Sequence, residues 1–86
     1  MMYRPAPAVS TADVAGEITL MEPHRGVYFG LEGPGARIWH LLPATLDGIV
    51  AQLTAEFEVD DATCRHDVAE LLDQLVATGL VVCEPA

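Results

Sequence analysis

The order of patterns along the chain predicts an α+β fold, a three-stranded antiparallel sheet followed by three helices. Two observations carry this. The front of the chain holds alternating and β-branched runs bounded by turn residues, and the rest holds apolar residues recurring every three or four positions between capping residues. A third observation bounds the size: 86 residues, 51% of them hydrophobic, fit one small domain. A chain this short buries roughly 63% of the surface that its unfolded form exposes.

Residues 1–7 read as a loose lead-in, because Pro5 and Pro7 cannot donate to a strand ladder. A first strand is expected over about residues 8–13, and Ala15-Gly16 supplies the turn after it. The run 17–22 alternates, with Ile18 and Leu20 on one face and Thr19 and Met21 on the other. Pro23-His24-Arg25-Gly26 is turn chemistry. In the next run, 27–31, Val27, Phe29 and Leu31 share the core face, completing a meander.

Gly33-Pro34-Gly35 then breaks the strand, and Pro34 suits the first turn of a helix that runs to about Leu42. Ile38, Trp39, Leu41 and Leu42 cover a broad face of it, and Pro43 ends it. Thr45 caps a second helix whose apolar stripe is Leu46, Ile49, Val50, Leu53 and Phe57. Asp60 caps a third, with Cys64, Val68, Leu71, Leu72, Leu75 and Val76 on one stripe and Gly79 as its left-handed stop. Residues 80–83 return as a short strand or an extended tail. The helical spacing resembles a winged helix-turn-helix, a shape that reads either DNA or another peptide.

Charge separates those two uses. Residues 1–44 carry four acids and three arginines, whereas residues 45–86 carry nine acids and one arginine, and there is no lysine anywhere. A helix that reads DNA needs cations near phosphates, yet the third helix offers Arg65 against Asp60, Asp61, Asp67, Glu70 and Asp73. Nucleic acid is therefore excluded as the expected partner, and a DNA-binding regulator is the least favoured reading. The acids either solvate an exposed helix face or attract a basic peptide, an attraction that salt would screen.

Catalytic chemistry is poorly provided for, and no catalytic residue or metal site is assigned. Cys64-x-His66 on one helix projects its side chains about 200° apart, so they cannot converge on one ion. His40 beside Trp39 reads as a partly exposed spacer. Cys64 and Cys83 read as small buried hydrophobes, reduced in a cytoplasmic setting, since they are too few for a disulfide framework and lack zinc-site spacing. Gly33-Pro34-Gly35 lacks the residues that cradle a nucleotide, and Glu32 beside it would repel one. The longest strongly apolar stretch, 80–83, is far below a membrane span, and the opening residues lack the apolar core of a signal peptide.

The chain carries, in order, Leu31; Gly35-Ala36-Arg37-Ile38-Trp39-His40-Leu41-Leu42; Leu46-x-x-Ile49-x-x-x-Leu53; Glu56-Phe57-x-Val59-Asp60; and Asp67-Val68-x-x-Leu71-Leu72-x-x-Leu75-x-x-x-Gly79-Leu80. In that order and spacing, from about Val9 onward, the chain resembles the PqqD-like family. Its members are small peptide-binding domains also called recognition elements for ribosomally made, post-translationally modified peptides. The phrase Gly26-Val27-Tyr28-Phe29-Gly30-Leu31 leading into Gly35-Ala36 is most similar to the stand-alone members encoded with lasso peptides. One departure stands out. The family often has asparagine after the leucine and threonine before the glycine, where this chain has Glu32 and Pro34, so the cap of the first helix must be built differently.

The resemblance implies a non-catalytic adaptor without a cofactor, which binds the leader of a precursor peptide as a strand beside Val27, Tyr28, Phe29, Gly30 and Leu31. The leader would lie in a groove against the third helix. It further implies two partner enzymes, a cysteine protease that removes the leader and an ATP-dependent synthetase that closes a macrolactam. The alternative is a PqqD-type peptide chaperone for a quinone-cofactor precursor, working with a radical enzyme. Read from the residues, an unpaired strand edge suits β-augmentation. Gly30 either lets a ligand approach closely or relieves crowding within the chain. Tyr28 either lines the groove or covers the outer sheet face. Asp67, Leu71 and Gln74 form a stripe beside the core stripe, with Leu71 expected to touch the leader and Asp67 to pair with a leader cation.

Overall fold

Both turn-bounded runs fold as strands over the expected residues, and the helices follow their caps. In chain order the computed structural model, which describes residues 1–85, has β1 (Met2–Pro5), β2 (Ser10–Val14), β3 (Glu17–Glu22) and β4 (Val27–Leu31). Then come α1 (Pro34–Leu41), α2 (Leu46–Glu56), α3 (Asp61–Ala77) and β5 (Val81–Glu84). β2, β3 and β4 form an antiparallel meander in that spatial order, so β2 and β4 are its edges. The register pairs Ile18 with Leu31 and Leu20 with Phe29 on the face toward the helices, and Met21 with Tyr28 and Thr19 with Gly30 on the outer face. Glu22 is the polar member of the buried face. Its carboxylate oxygens accept the backbone N–H groups of His24 (3.0 Å) and Arg25 (2.7 Å) and so close the β3–β4 turn.

Each helix boundary has a local cause. The Thr45 hydroxyl accepts the Gly48 N–H at 3.0 Å, and the Asp60 carboxylate accepts the Thr63 N–H at 3.0 Å. α3 ends in a Schellman arrangement: Gly79 takes φ +80°, Leu80 N–H reaches the Leu75 carbonyl at 2.9 Å, and Gly79 N–H reaches that of Val76 at 3.1 Å. α1 has no side-chain cap. Gly33 at φ +55° turns the chain into Pro34 at the first helical position, where the missing N–H is no loss.

The amino-terminal segment is a correction to the sequence reading. Residues 2–5 are not a loose lead-in but a strand, β1, which pairs antiparallel with β5 from Met2↔Glu84 to Pro5↔Val81. Tyr3 and Ala44 also exchange two backbone hydrogen bonds, of 2.8 and 3.0 Å. Pro5 sits at the end of the strand, where proline is tolerated, and residues 80–83 resolve as a strand rather than a tail. β2 starts two residues later than expected, because a turn at Pro7-Ala8, with Val9 N–H bonded to the Ala6 carbonyl, comes first.

The core has two lobes. Ile18, Leu20, Leu31, Trp39, Leu75 and Leu80 join the sheet to the helices, while Ile38, Ile49, Val50, Leu53, Val68 and Leu72 join the helices to one another; Leu71 packs against both. Two residues expected on core stripes lie at the surface. Phe57 is 44% exposed because the backbone leaves the helix there, at φ −125° and ψ 148°. Val76 is 37% exposed because it follows Leu75 by about 100° around the helix. Cys64 is buried as expected, whereas Cys83 is only half-buried.

Candidate functional site

The free edge of β4 and the flank of α3 lie side by side. Among the described residues β4 pairs only with β3, so the other side of its backbone is open for hydrogen bonding. At the Leu31 end, a Cβ built on Gly35 would sit 3.4 Å from Leu31 Cδ2 and 3.8 Å from Leu71 Cδ2, so these three residues converge. At the Val27 end, Arg25 of the turn donates from Nη1 to the Ala77 carbonyl at 3.4 Å. α3 therefore runs antiparallel to β4.

The residues singled out from sequence distribute around this groove. Val27 and Phe29 are half-buried on the helix side and Leu31 is buried. Tyr28, 69% exposed, and Gly30 face outward, away from α3. A Cβ at Gly30 would meet nothing within 4 Å, and its pairing with Thr19 is regular, so the packing of the chain itself does not require glycine there. On α3, Asp67 and Gln74 are exposed and Leu71 is half-buried between them.

Beyond the Leu31 end, the groove opens into a cleft of about 300 Å³ lined by Pro34, Gly35, Ile38, Leu53, Phe57, Val59, Cys64, Asp67, Val68 and Leu71. Asp67 and Leu71 thus share a site, and Gln74 lies outside it. The α1 and α2 walls are pinned together just beside it. Arg37 donates from Nε and Nη2 to the two oxygens of Glu56 at 2.8 and 2.7 Å, and Gln52 adds a bond of 2.6 Å. The hydrogen bonds from Arg37, then that from Gln52, hold the Glu56 carboxyl at about 2, well below its ordinary value. Burial pushes the Cys64 thiol up, so it forms part of an apolar wall rather than a thiolate nucleophile.

Other ion pairs lie elsewhere, among them Arg65 with Asp47 at 2.6 Å and with Asp61 at 3.9 Å, and Arg4 with Glu84. Among the described residues, no group of three His, Cys, Asp or Glu side chains is placed to hold a metal ion. Nor is any helix there long and apolar enough to cross a membrane. What the arrangement provides is an open strand edge, a helix flank and an apolar cleft with an acid on its lining. That combination suits an extended peptide. Sequence reasoning missed Pro34, Gly35, Phe57 and Val59 as site residues. The available signal was the pair Phe57 and Val59 astride a helix break, where loop residues are ordinarily polar.

The profile of the family described as coenzyme PQQ synthesis protein D matches residues 17–81 of the chain. No curated protein matches it. Among solved structures, TbiB1 in complex with the TbiA(beta) leader peptide is similar, at a TM-score of 0.88 and 32% identity, covering 96% of this chain and 99% of that one. A lasso peptide synthetase B1 complexed with the leader peptide gives a TM-score of 0.84 and 25% identity, over 94% of this chain and 98% of that one.

Proposed function

Since the chain belongs to the PqqD family, we propose that it is a non-catalytic adaptor that captures the leader of a ribosomally made precursor by strand addition at β4. The observation that carries this is the unpaired β4 edge backed by α3, in a fold that matches two proteins solved with leader peptides bound. A leader strand beside Val27–Leu31 would satisfy the open N–H and C=O groups. Its side chains would alternate between the α3 side, where Leu71 forms the floor with Asp67 and Gln74 along the flank, and the outer side, beside Tyr28 and Gly30. Asp67 would meet a cation of the leader.

In lasso peptide biosynthesis the bound precursor is handed to a leader peptidase of the cysteine-protease type and to an ATP-dependent macrolactam synthetase. The adaptor raises the effective concentration of substrate at each. That work belongs in the cytoplasm, where the two free thiols stay reduced. The family's description favours a second reading, a chaperone for a quinone-cofactor precursor serving a radical enzyme.

Fluorescence polarisation with labelled leaders of both kinds tests the proposal. Leaders of the lasso class typically present a tyrosine, a proline and a leucine along an extended segment, and the expected result is sub-micromolar binding of such a leader, weakened when each of the three is replaced. Binding of the quinone-type leader alone transfers the adaptor to that pathway, and binding of neither removes leader capture.

A further inference from the structure

At the other end of the groove, where β4 begins, stands a cation that the chain does not neutralise. Of the four arginines, Arg4 is paired with Glu84, Arg37 with Glu56, and Arg65 with Asp47 and Asp61. Among the described residues, no carboxylate lies within ion-pair distance of Arg25. Glu22, three residues before it, is engaged by the backbone N–H groups of His24 and Arg25. The guanidinium is nevertheless seated. A Cβ built on Gly79 would stand 3.3, 3.4 and 3.6 Å from its Nη1, Cζ and Nε, so the group lies across the bare backbone of Gly79. Nη1 donates to the Ala77 carbonyl at 3.4 Å. Nε and Nη2, the edge with which Arg37 grips Glu56, have no acceptor among the described residues.

We infer that Arg25 is a specificity-determining residue, which receives an aspartate or glutamate side chain of the leader at the Val27 end of β4. The inference rests on the leader-capture reading and adds to it the position of an acid. A planar guanidinium with its Nε–Nη2 edge open takes a carboxylate through two parallel hydrogen bonds. A chain of net charge −9 repels acidic peptides as a whole, so an acid is favoured only where it meets this group. β4 extends about 13 Å from Val27 to Leu31, and α3 rises about 15 Å from Asp67 to Ala77. Arg25 and Asp67 therefore stand at opposite ends of the groove. The two ends attract opposite charges, and a leader carrying both lies along β4 in one direction and one register.

The test starts from a phage-displayed library of random twelve-residue peptides panned against the folded protein. Enriched peptides are synthesised, mapped by amide exchange, and measured by fluorescence polarisation with each position replaced in turn by glutamate, glutamine and lysine. Among peptides that slow exchange along Val27–Leu31, the expected result is one position where glutamate binds about tenfold tighter than lysine. Arg25→Glu should invert that preference at the same position, and Arg25→Gln should abolish it. Arg25→Lys, which keeps the charge without the fork, should retain part of it. Arg25 is exposed, and its side chain makes a single long hydrogen bond among the described residues. The variants should therefore match the wild type in circular dichroism and keep its ranking of replacements at the other peptide positions. A preference for glutamate that survives Arg25→Glu, or the lack of any position that prefers it, overturns the inference and leaves leader capture standing. Failure to obtain any peptide that slows exchange along β4 overturns both.

Discussion

Tyr28→Ala separates ligand contact from folding more cleanly than other changes on β4. The residue is 69% exposed on the outer sheet face, so the free protein loses little more than its cross-strand pair with Met21. Such a pair contributes about 0.2–1 kcal/mol, and the melting temperature should fall by no more than about 8 °C. A leader strand added to β4 lies about 4.8 Å away, and its outward side chains come against the ring. With ~200 Å² for a whole aromatic side chain, an exposure of 69% leaves about 140 Å² for a ligand to cover. Covering half of that, about 70 Å², is worth about 1.7 kcal/mol, a rise in Kd of roughly twentyfold. Fluorescence polarisation of a labelled leader and thermal melting, run on the same preparations, read both quantities. A Kd within twofold of wild type, with the small melting shift observed, would refute the placement of the leader beside β4.

Leader at a hundred times its Kd should stabilise the protein by about 2.7 kcal/mol and raise Tm by roughly 11–22 °C. Amide exchange should slow along Val27–Leu31; slowing along β2 instead would put the ligand on the other edge. An NMR titration of the Glu56 carboxyl should show a midpoint at about 2. Because that folded value lies below the ordinary one of 4.5, the contribution of the contact is complete above about pH 4.5 and is lost as pH falls through about 2. Glu56→Gln should therefore lower Tm near pH 6 and make no difference below about pH 2; an equal deficit at both would assign the effect to packing. Gly79→Ala places a Cβ 3.3 Å from Arg25 Nη1 at φ +80° and should cost about 1–2 kcal/mol. Gly30→Ala meets no atom within 4 Å and should leave Tm unchanged or higher, so a comparable loss at both glycines would contradict the open surface at Gly30.

The parts of the fold that sequence foretold are those whose causes are local. Thr45 and Asp60 each satisfy an N–H three residues ahead, and Gly79 takes the left-handed turn that ends α3. The alternation in Glu17–Glu22 needs only its neighbours to declare which face is buried. β1 failed that test because its partner, β5, lies at the other end of the chain, and four residues ending in a proline show no pattern of their own. No inspection of Met2–Pro5 alone reveals that Tyr3 is bridged to both Ala44 and Cys83.

The site was harder to read than the fold for a related reason. Periodicity treats an apolar residue as core wherever it continues a stripe, and so Phe57 joined Leu46, Ile49, Val50 and Leu53. That rule holds only while the backbone stays helical. At the last turn of α2 the chain becomes extended, and the direction of the side chain is then set by φ and ψ rather than by the stripe. A peptide-binding surface must be apolar and yet reached by solvent, so its residues fall into the class that pattern reading assigns to the interior. Charge behaves in the same way. An excess of eight acids over residues 45–86 is plain in the sequence, but which of them are engaged is a matter of geometry. Glu56 and Asp47 hold arginines and Asp60 caps a helix. Asp67, on the lining of the cleft, is within ion-pair distance of no cation among the described residues.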